Sequence, residues 1–246
     1  MIEYTTLLKM PTKINQNSTL VDELFQAGAH FGFIKSRRHP SAKNFIFGSK
    51  NNLEIFDLEK TSEELLKALK FVEDKGKEGS QILFVGGKSE AREAVRIAGM
   101  ELGLPFVSGR WIGGTLTNWS EIKKRIQRLN DLTAQREKGE LGKYTKKERL
   151  VINREIDKLS LYFNGLLNMK GIPKLLVVVD PKKESIAVSE AKVMNVPIVA
   201  IAGSDTNFQS INYAIPANDS SKQSISLIMK KIVEAYKTGQ SESKKD

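Results

Sequence analysis

Three short runs constrain this fold more than anything else in the chain: "ILFVG" at 82–86, "LLVVV" at 175–179 and "IVAIA" at 198–202. None contains a charged or hydrogen-bonding side chain, so a strand built from one is buried on both faces rather than half-wetted. Helical periodicity follows the first in "KSEAREAVRIAGMELG" and the second in "KESIAVSEAKVMN". "LPFVSG" and "YAIP" add two shorter strands. "SSKQSISLIMKKIVEAYKTG" reads as a final helix, with Asn218 and Asp219 as candidate caps. This alternation predicts an α/β fold: a doubly wound, mostly parallel sheet flanked by helices on both sides, joined by right-handed crossovers.

Two regions depart from the alternation. In the first third, "STLVDELFQAGAH" reads as a helix, and "NFIFG" and "LEIFD" as a strand pair across the turn "SKNN". Thr61 and Glu64 stand where a capping box would open the helix "EELLKALKFVEDKG". Between residues 116 and 166, Ile122, Ile126, Leu129 and Leu132 recur at helical spacing, as do Leu150, Ile152, Ile156, Leu159 and Phe163, with Gly139 and Gly142 between the two sets. Two helices with one narrow apolar stripe each predict an inserted antiparallel hairpin of the coiled-coil kind, projecting from the domain. The expected organisation is a flexible N-terminal extension over 1–17, an α/β domain over 18–237 carrying the hairpin at about 116–166, and a disordered tail over 238–246.

Charge bears on the partner. Lys and Arg number 39 against 29 Asp and Glu, a formal charge of +10 over 246 residues. Such a surplus favours a polyanion, because each neutralised phosphate releases counterions. The chain has no Cys, which excludes disulfides, thiol catalysis and Cys-type zinc sites and fits a reducing compartment. No apolar run approaches the ~20 residues of a membrane span, and the first residues lack a signal-peptide core, so a cytoplasmic protein is expected.

The candidate chemistry is uneven. "GGKSEAREAV" meets the end of an apolar run as a nucleotide-binding loop would. A P-loop, however, needs G-x-x-x-x-G-K-[ST], and its leading glycine position holds Ile82, so the loop cannot wrap a β-phosphate. What remains is a strand-to-helix corner with Lys88 and Arg92, suited to a single phosphate. His30, Asp180 and Asp205 form the one conceivable metal or acid–base set, the plainer reading being that Asp180 caps the helix after it. The stronger signal is a segment without acids. From Leu24 to Leu53 there is no Asp or Glu, while Lys35, Arg37, Arg38, Lys43 and Lys50 interleave with Phe31, Phe33, Phe45 and Phe47. In "SGRWIGGTLTNW", Arg110 and Trp111 beside a double glycine offer a phosphate contact and a stacking plane, with a core Trp as the alternative.

Three stretches carry a family resemblance: "LFQAGAHFGF…KNFIFGSKNNLEIFDLEKT", "ILFVGGKSEAREAV…SGRWIGGTLTNW" and "LLVVVDPKKESIAVSEAKVMNVPIVAIAG…YAIPAND". From about Thr19 to Tyr236 the chain resembles the bacterial ribosomal protein S-two family, the second protein of the small subunit. The resemblance implies a doubly wound domain with an inserted helical hairpin, no catalysis, no cofactor and no small-molecule substrate. It implies small-subunit ribosomal RNA as partner at the junction of head and body. It also implies neighbouring small-subunit proteins, including the large mRNA-binding protein, and a place on the cytoplasmic ribosome. The chain departs from the family where Phe33 replaces a usual second His and where Lys43-Asn44 replaces a Lys-Pro. The expected RNA contacts are Lys35, Arg37, Arg38, Lys43, Lys88, Arg92, Arg110, Trp111, Thr115 and Asn118, with phosphate contacts outnumbering base contacts. The rival is an enzyme acting on a sugar phosphate or nucleotide, with a cleft built on Asp180, Asp205 and the Gly86–Ser89 corner.

Overall fold

The computed structural model describes residues 13–243. Helix α1 (Lys13–Gln26) ends two residues before Gly28, which takes a left-handed φ of 69°. Strand β1 (Phe31–Ile34) follows, and β2 (Ile46–Lys50) and β3 (Leu53–Phe56) pair antiparallel across Asn51-Asn52. Both Asn residues have positive φ, 52° and 65°, the backbone that a two-residue hairpin needs. With β1 they form a small sheet of order β1-β3-β2. The expectation of a strand pair holds, but β1 was not foreseen. It is four residues long and contains Gly32, on a segment left without an element between the expected helix and the strand pair.

The remaining elements are α2 (Leu58–Lys77), β4 (Ile82–Val85), α3 (Arg92–Leu102), β5 (Phe106–Val107), α4 (Trp119–Glu137), α5 (Lys146–Phe163), β6 (Leu175–Val179), α6 (Ser185–Val193), β7 (Ile198–Ala202), β8 (Tyr213–Pro216) and α7 (Lys222–Ser243). Strands β4 to β8 make one sheet of order β5-β4-β6-β7-β8, every neighbouring pair parallel. The chain steps out from β4 to β5 and then returns past β4 to β6. The winding therefore reverses between β4 and β6, and their carboxyl ends open the crevice where such sheets hold ligands.

Alternation along each strand splits the interior into two layers. Ile82, Phe84, Leu175, Val177, Val199 and Ile201 join residues of α1, α2, α3 and α7 in one cluster. Leu83, Val85, Leu176, Val178, Ile198 and Ala200 join α6 and the helical pair α4 and α5 in the other. Those two helices lie side by side, with Arg128 of α4 ion-paired to Glu155 of α5 at 3.2 Å. The pair does not simply project: Ile122, Ile126, Leu129, Ile156 and Phe163 belong to the cluster that covers the second face of the sheet. The apolar stripe continues into the sheet instead of closing only on itself.

Boundaries also move. Helix α1 begins at Lys13, inside the span expected to be a flexible extension, and residues 1–12 of that span lie outside the described residues. The cap of α2 is Asp57, whose carboxylate accepts the Glu59 N–H at 3.2 Å. Thr61 is buried instead, and its hydroxyl donates to the carbonyl of Pro216 at 2.6 Å. At α7 the Ser221 hydroxyl takes the Ser224 N–H at 3.4 Å, while Asn218 and Asp219 are used elsewhere. The tail expected to be disordered from 238 is helical through Ser243. The cause is close packing: a β-carbon on Gly239 would overlap the Glu73 carbonyl of α2, and one on Gly76 would overlap the Tyr236 carbonyl of α7. The two glycines let the helices touch backbone to backbone, which holds the end of α7 in place. Residues 244–246 lie outside the described residues.

Candidate nucleic-acid interface

The small sheet docks at the carboxyl edge of the large one. Ser204, just past β7, takes the Phe33 N–H on its hydroxyl at 3.0 Å and the His39 N–H on its carbonyl at 2.9 Å. A hydrogen bond from Asn218 N–H to the Ala29 carbonyl, 2.9 Å, adds a second tie. The acid-free segment is thereby carried to the edge that also holds Lys88, Arg110 and Asp180. Phe33 marks the junction, with Arg37 lying 5.2 Å and Lys88 5.7 Å from its ring centroid. Two segments more than fifty positions apart meet on one aromatic face.

The corner after β4 is closed on itself. The Gly87 N–H donates to the buried Glu184 carboxylate at 3.0 Å. The Lys88 ammonium donates to Asp180 at 3.2 Å, to Asp219 at 3.3 Å and to the Ser220 hydroxyl at 2.8 Å. Burial would lower the Lys88 pKa, but the two carboxylates more than offset it and hold the group charged. Asp219 responds the other way. Burial, reinforced by the neighbouring Asp180 charge, pushes its carboxyl up to about 6 despite Lys88. Burial likewise raises Glu184. Asp180 sits at a positive φ of 61°, rare for a residue with a side chain, and its carboxylate caps the Lys183 N–H at 3.0 Å. Helix α3 is regular only from Arg92, after a turn in which the Arg92 N–H donates to the Lys88 carbonyl at 3.0 Å.

The loop after β5 is organised by a residue from the far side of the crevice. Glu190 on α6, 8% exposed, accepts from the Trp111 indole at 3.1 Å and from backbone N–H groups of Gly114, Leu116 and Thr117 at 2.7, 2.9 and 3.2 Å. Its second oxygen also takes the Thr117 hydroxyl at 3.2 Å. Burial alone would raise this carboxyl, but so many donors stabilise its charge that the pKa is lowered. Glu190 ties "RWIGGTLT" to "SEAKV", two stretches nearly eighty residues apart.

Residues 24–239 match the family model of ribosomal protein S2. The chain belongs to the ribosomal protein S2 family. It is also 42% identical over 217 residues to the small ribosomal subunit protein uS2 of Coprothermobacter proteolyticus, an alignment covering 88% of this chain and 81% of that protein.

Within this S2-family chain the sequence-predicted residues separate into three groups. Lys35, Arg37, Lys43, Arg92 and Arg110 are exposed and, among the described residues, form no ion pair; Asn118 is exposed at the start of α4. Arg38 is half-buried and paired at 2.9 Å with Glu54, itself 1% exposed. Lys88 is committed to the aspartates, and Trp111 and Thr115 are core residues, the Thr115 hydroxyl donating to the Ile112 carbonyl at 2.6 Å. The stacking plane expected of Trp111 is therefore absent, since the ring lies beneath the loop. His30, Asp180 and Asp205 do not converge. His30 stacks on Phe25 at 4.7 Å with its pKa lowered by burial, and Asp205 pairs with Lys182 at 2.8 Å. No group of three His, Asp or Glu side chains suited to a metal exists among the described residues. Sequence reasoning missed Glu184 and Glu190, which look like ordinary helical surface acids, and Lys183, exposed beside Arg92 and Arg110 along one cavity of about 350 Å³.

Proposed function

We propose that this chain is a structural, non-catalytic component of the small ribosomal subunit that grips small-subunit ribosomal RNA mainly by its phosphates. The name of its relative points to that subunit, and the S2 family is one of ribosomal proteins. The observation that carries the RNA reading is the set of five exposed cations without carboxylate partners among the described residues, Lys35, Arg37, Lys43, Arg92 and Arg110, on the carboxyl edge of the sheet and the segment docked there. Unpaired cations on one edge are the footprint of a phosphate backbone. The helical pair α4 and α5, a coiled-coil arm in this reading, carries twelve Lys and Arg against seven Asp and Glu between Ser120 and Ser160. It extends the same surface toward RNA and neighbouring small-subunit proteins. The large mRNA-binding protein docks on this chain at the head–body junction, and the chain works on the cytoplasmic ribosome. No helix among the described residues is long and apolar enough to cross a membrane.

The enzyme reading has less support. Its crevice is filled: Glu184 occupies the Gly87 N–H that a phosphate would use, and Lys88 is neutralised by Asp180 and Asp219. Calorimetric titration with Mg-ATP is expected to give no binding below roughly the millimolar range. Micromolar affinity would restore the enzyme. The direct test of the proposal is co-sedimentation with small subunits at physiological salt, beside filter binding to small-subunit RNA. A chain that binds neither would sink it.

A further inference from the structure

Two cavities flank Gly109 at the β5 edge of the sheet. One, about 350 Å³, is lined by Arg92, Arg110 and Lys183 and is dominated by positive charge. The other, about 420 Å³, lies at the root of α5 and shares Gly109 and Arg110 with the first. It too is lined by cations, Arg96 and Arg110, but its walls also carry rings and neutral polar groups. The half-buried rings of Phe106 and Tyr162 line it, together with Ser108 and Asn164, whose side chains make no hydrogen bond among the described residues. Gly109 forms the sill between the two. A β-carbon there would meet only the Leu161 carbonyl, at 3.9 Å, so a strand passing over this residue crosses bare backbone.

We propose that this pair of cavities seats one unpaired nucleotide of the bound RNA. Its base enters the cavity at the root of α5, and its flanking phosphates run over Arg110 toward Arg92 and Lys183. The inference rests on the RNA-binding reading above and adds to it a site that selects an extruded base. Three features favour it. The larger cavity has the size of a small-ligand site and is far too narrow for a duplex. Aromatic walls with free polar edges suit a base, which stacks on its face and hydrogen-bonds at its rim. The cations continue beyond that cavity into the second, as repeated phosphates require, whereas a free mononucleotide would use only one of the two.

The test uses the full chain. Leu161 lines the larger cavity and is 73% exposed, so replacing it with photoreactive benzoylphenylalanine places a reporter at the rim. In small subunits assembled with this protein, the cross-link mapped by primer extension is expected on an unpaired nucleotide. A cross-link inside a duplex, or to protein alone, overturns the inference while leaving RNA binding intact. A second variant, Gly109→Leu, raises the sill without removing a charge. It is expected to weaken binding to small-subunit RNA by about tenfold while leaving the salt slope unchanged, since one stacked base and no phosphate contact is lost. Binding equal to the parent overturns the inference. If the Leu variant fails to melt cooperatively, the cross-link alone decides. A parent chain that binds no ribosomal RNA overturns the RNA reading and the nucleotide site together.

Discussion

The corner at Lys88 and the ledge at Arg110 sit on neighbouring strands of one sheet, and sequence gave them the same appearance: glycines beside a cation at the end of an apolar run. The structure uses them in opposite ways. At the corner the cation is drawn inward by two aspartates and the free N–H is taken by a glutamate, so the charge is spent inside the protein. At the ledge the carboxylate lies underneath, where Glu190 gathers the loop by its indole and amide N–H groups and leaves Arg110 facing outward. A basic residue is left free for an anionic partner when the fold satisfies the acids around it with other donors. Composition counts charges but not which of them are already answered.

That contrast can be broken by mutation. The largest effect is expected beneath the ledge: Glu190→Ala strands the donors of Trp111, Gly114, Leu116 and Thr117, costing about 3 kcal/mol or more in denaturant unfolding. A parent-like midpoint would mean that the loop is held by its own contacts. Next comes the corner, where Lys88→Met leaves two buried carboxylates without their cation. Roughly 2–3 kcal/mol of stability should be lost, reduced from the fully buried case because Lys88 retains some solvent access. Its RNA salt slope should stay put; a flatter slope would return Lys88 to the interface.

Asp219 gives the corner a pH signature. With its folded pKa at about 6 and an ordinary value of 3.8, the folded protein holds a proton over this interval that the unfolded chain has released. Stability therefore falls as pH rises from about 4 to about 6, by something on the order of 2–3 kcal/mol from this group. Thermal melts across that window should be flatter in Asp219→Asn than in the parent. The ledge, where Glu190 is lowered, contributes with the opposite sign. The smallest effect on stability belongs to the exposed cation: Arg110→Ala should change the melting midpoint hardly at all, within about 0.5 kcal/mol. It should nonetheless lower the log–log salt slope of RNA binding by roughly 0.7–0.9. If Arg110→Ala unfolds the protein or leaves the slope untouched, the two regions are not the opposites described here.

What sequence could reveal follows from range. The central strands were legible because "LLVVV" and "IVAIA" leave no polar residue to face water, and the helical pair because its stripe repeats locally. Strand β1 was not, since four residues containing Gly32 carry no periodicity. The end of α7 was misjudged because "TGQSES" looks polar, and only the approach of Gly239 to Glu73, a pairing across more than 160 positions, makes it helical. The exposed half of the candidate site was visible as an acid-free stretch. Its supports, Glu184 and Glu190, were hidden, because a helical glutamate that reaches a distant backbone N–H reads the same as one that faces water.

The glycine contact between α2 and α7 also has a consequence in time. Helix α7 is made after every element it covers, and the layer containing Ile82, Phe84 and Val177 includes Ile225, Ile228, Ile232 and Tyr236 from it. During translation α1, α2 and α3 cover that face only in part until α7 emerges, whereas α4, α5 and α6 can already close the opposite face. The nascent protein thus passes through a stage with part of one apolar face open where α7 will lie, the kind of surface that invites self-association before folding is complete.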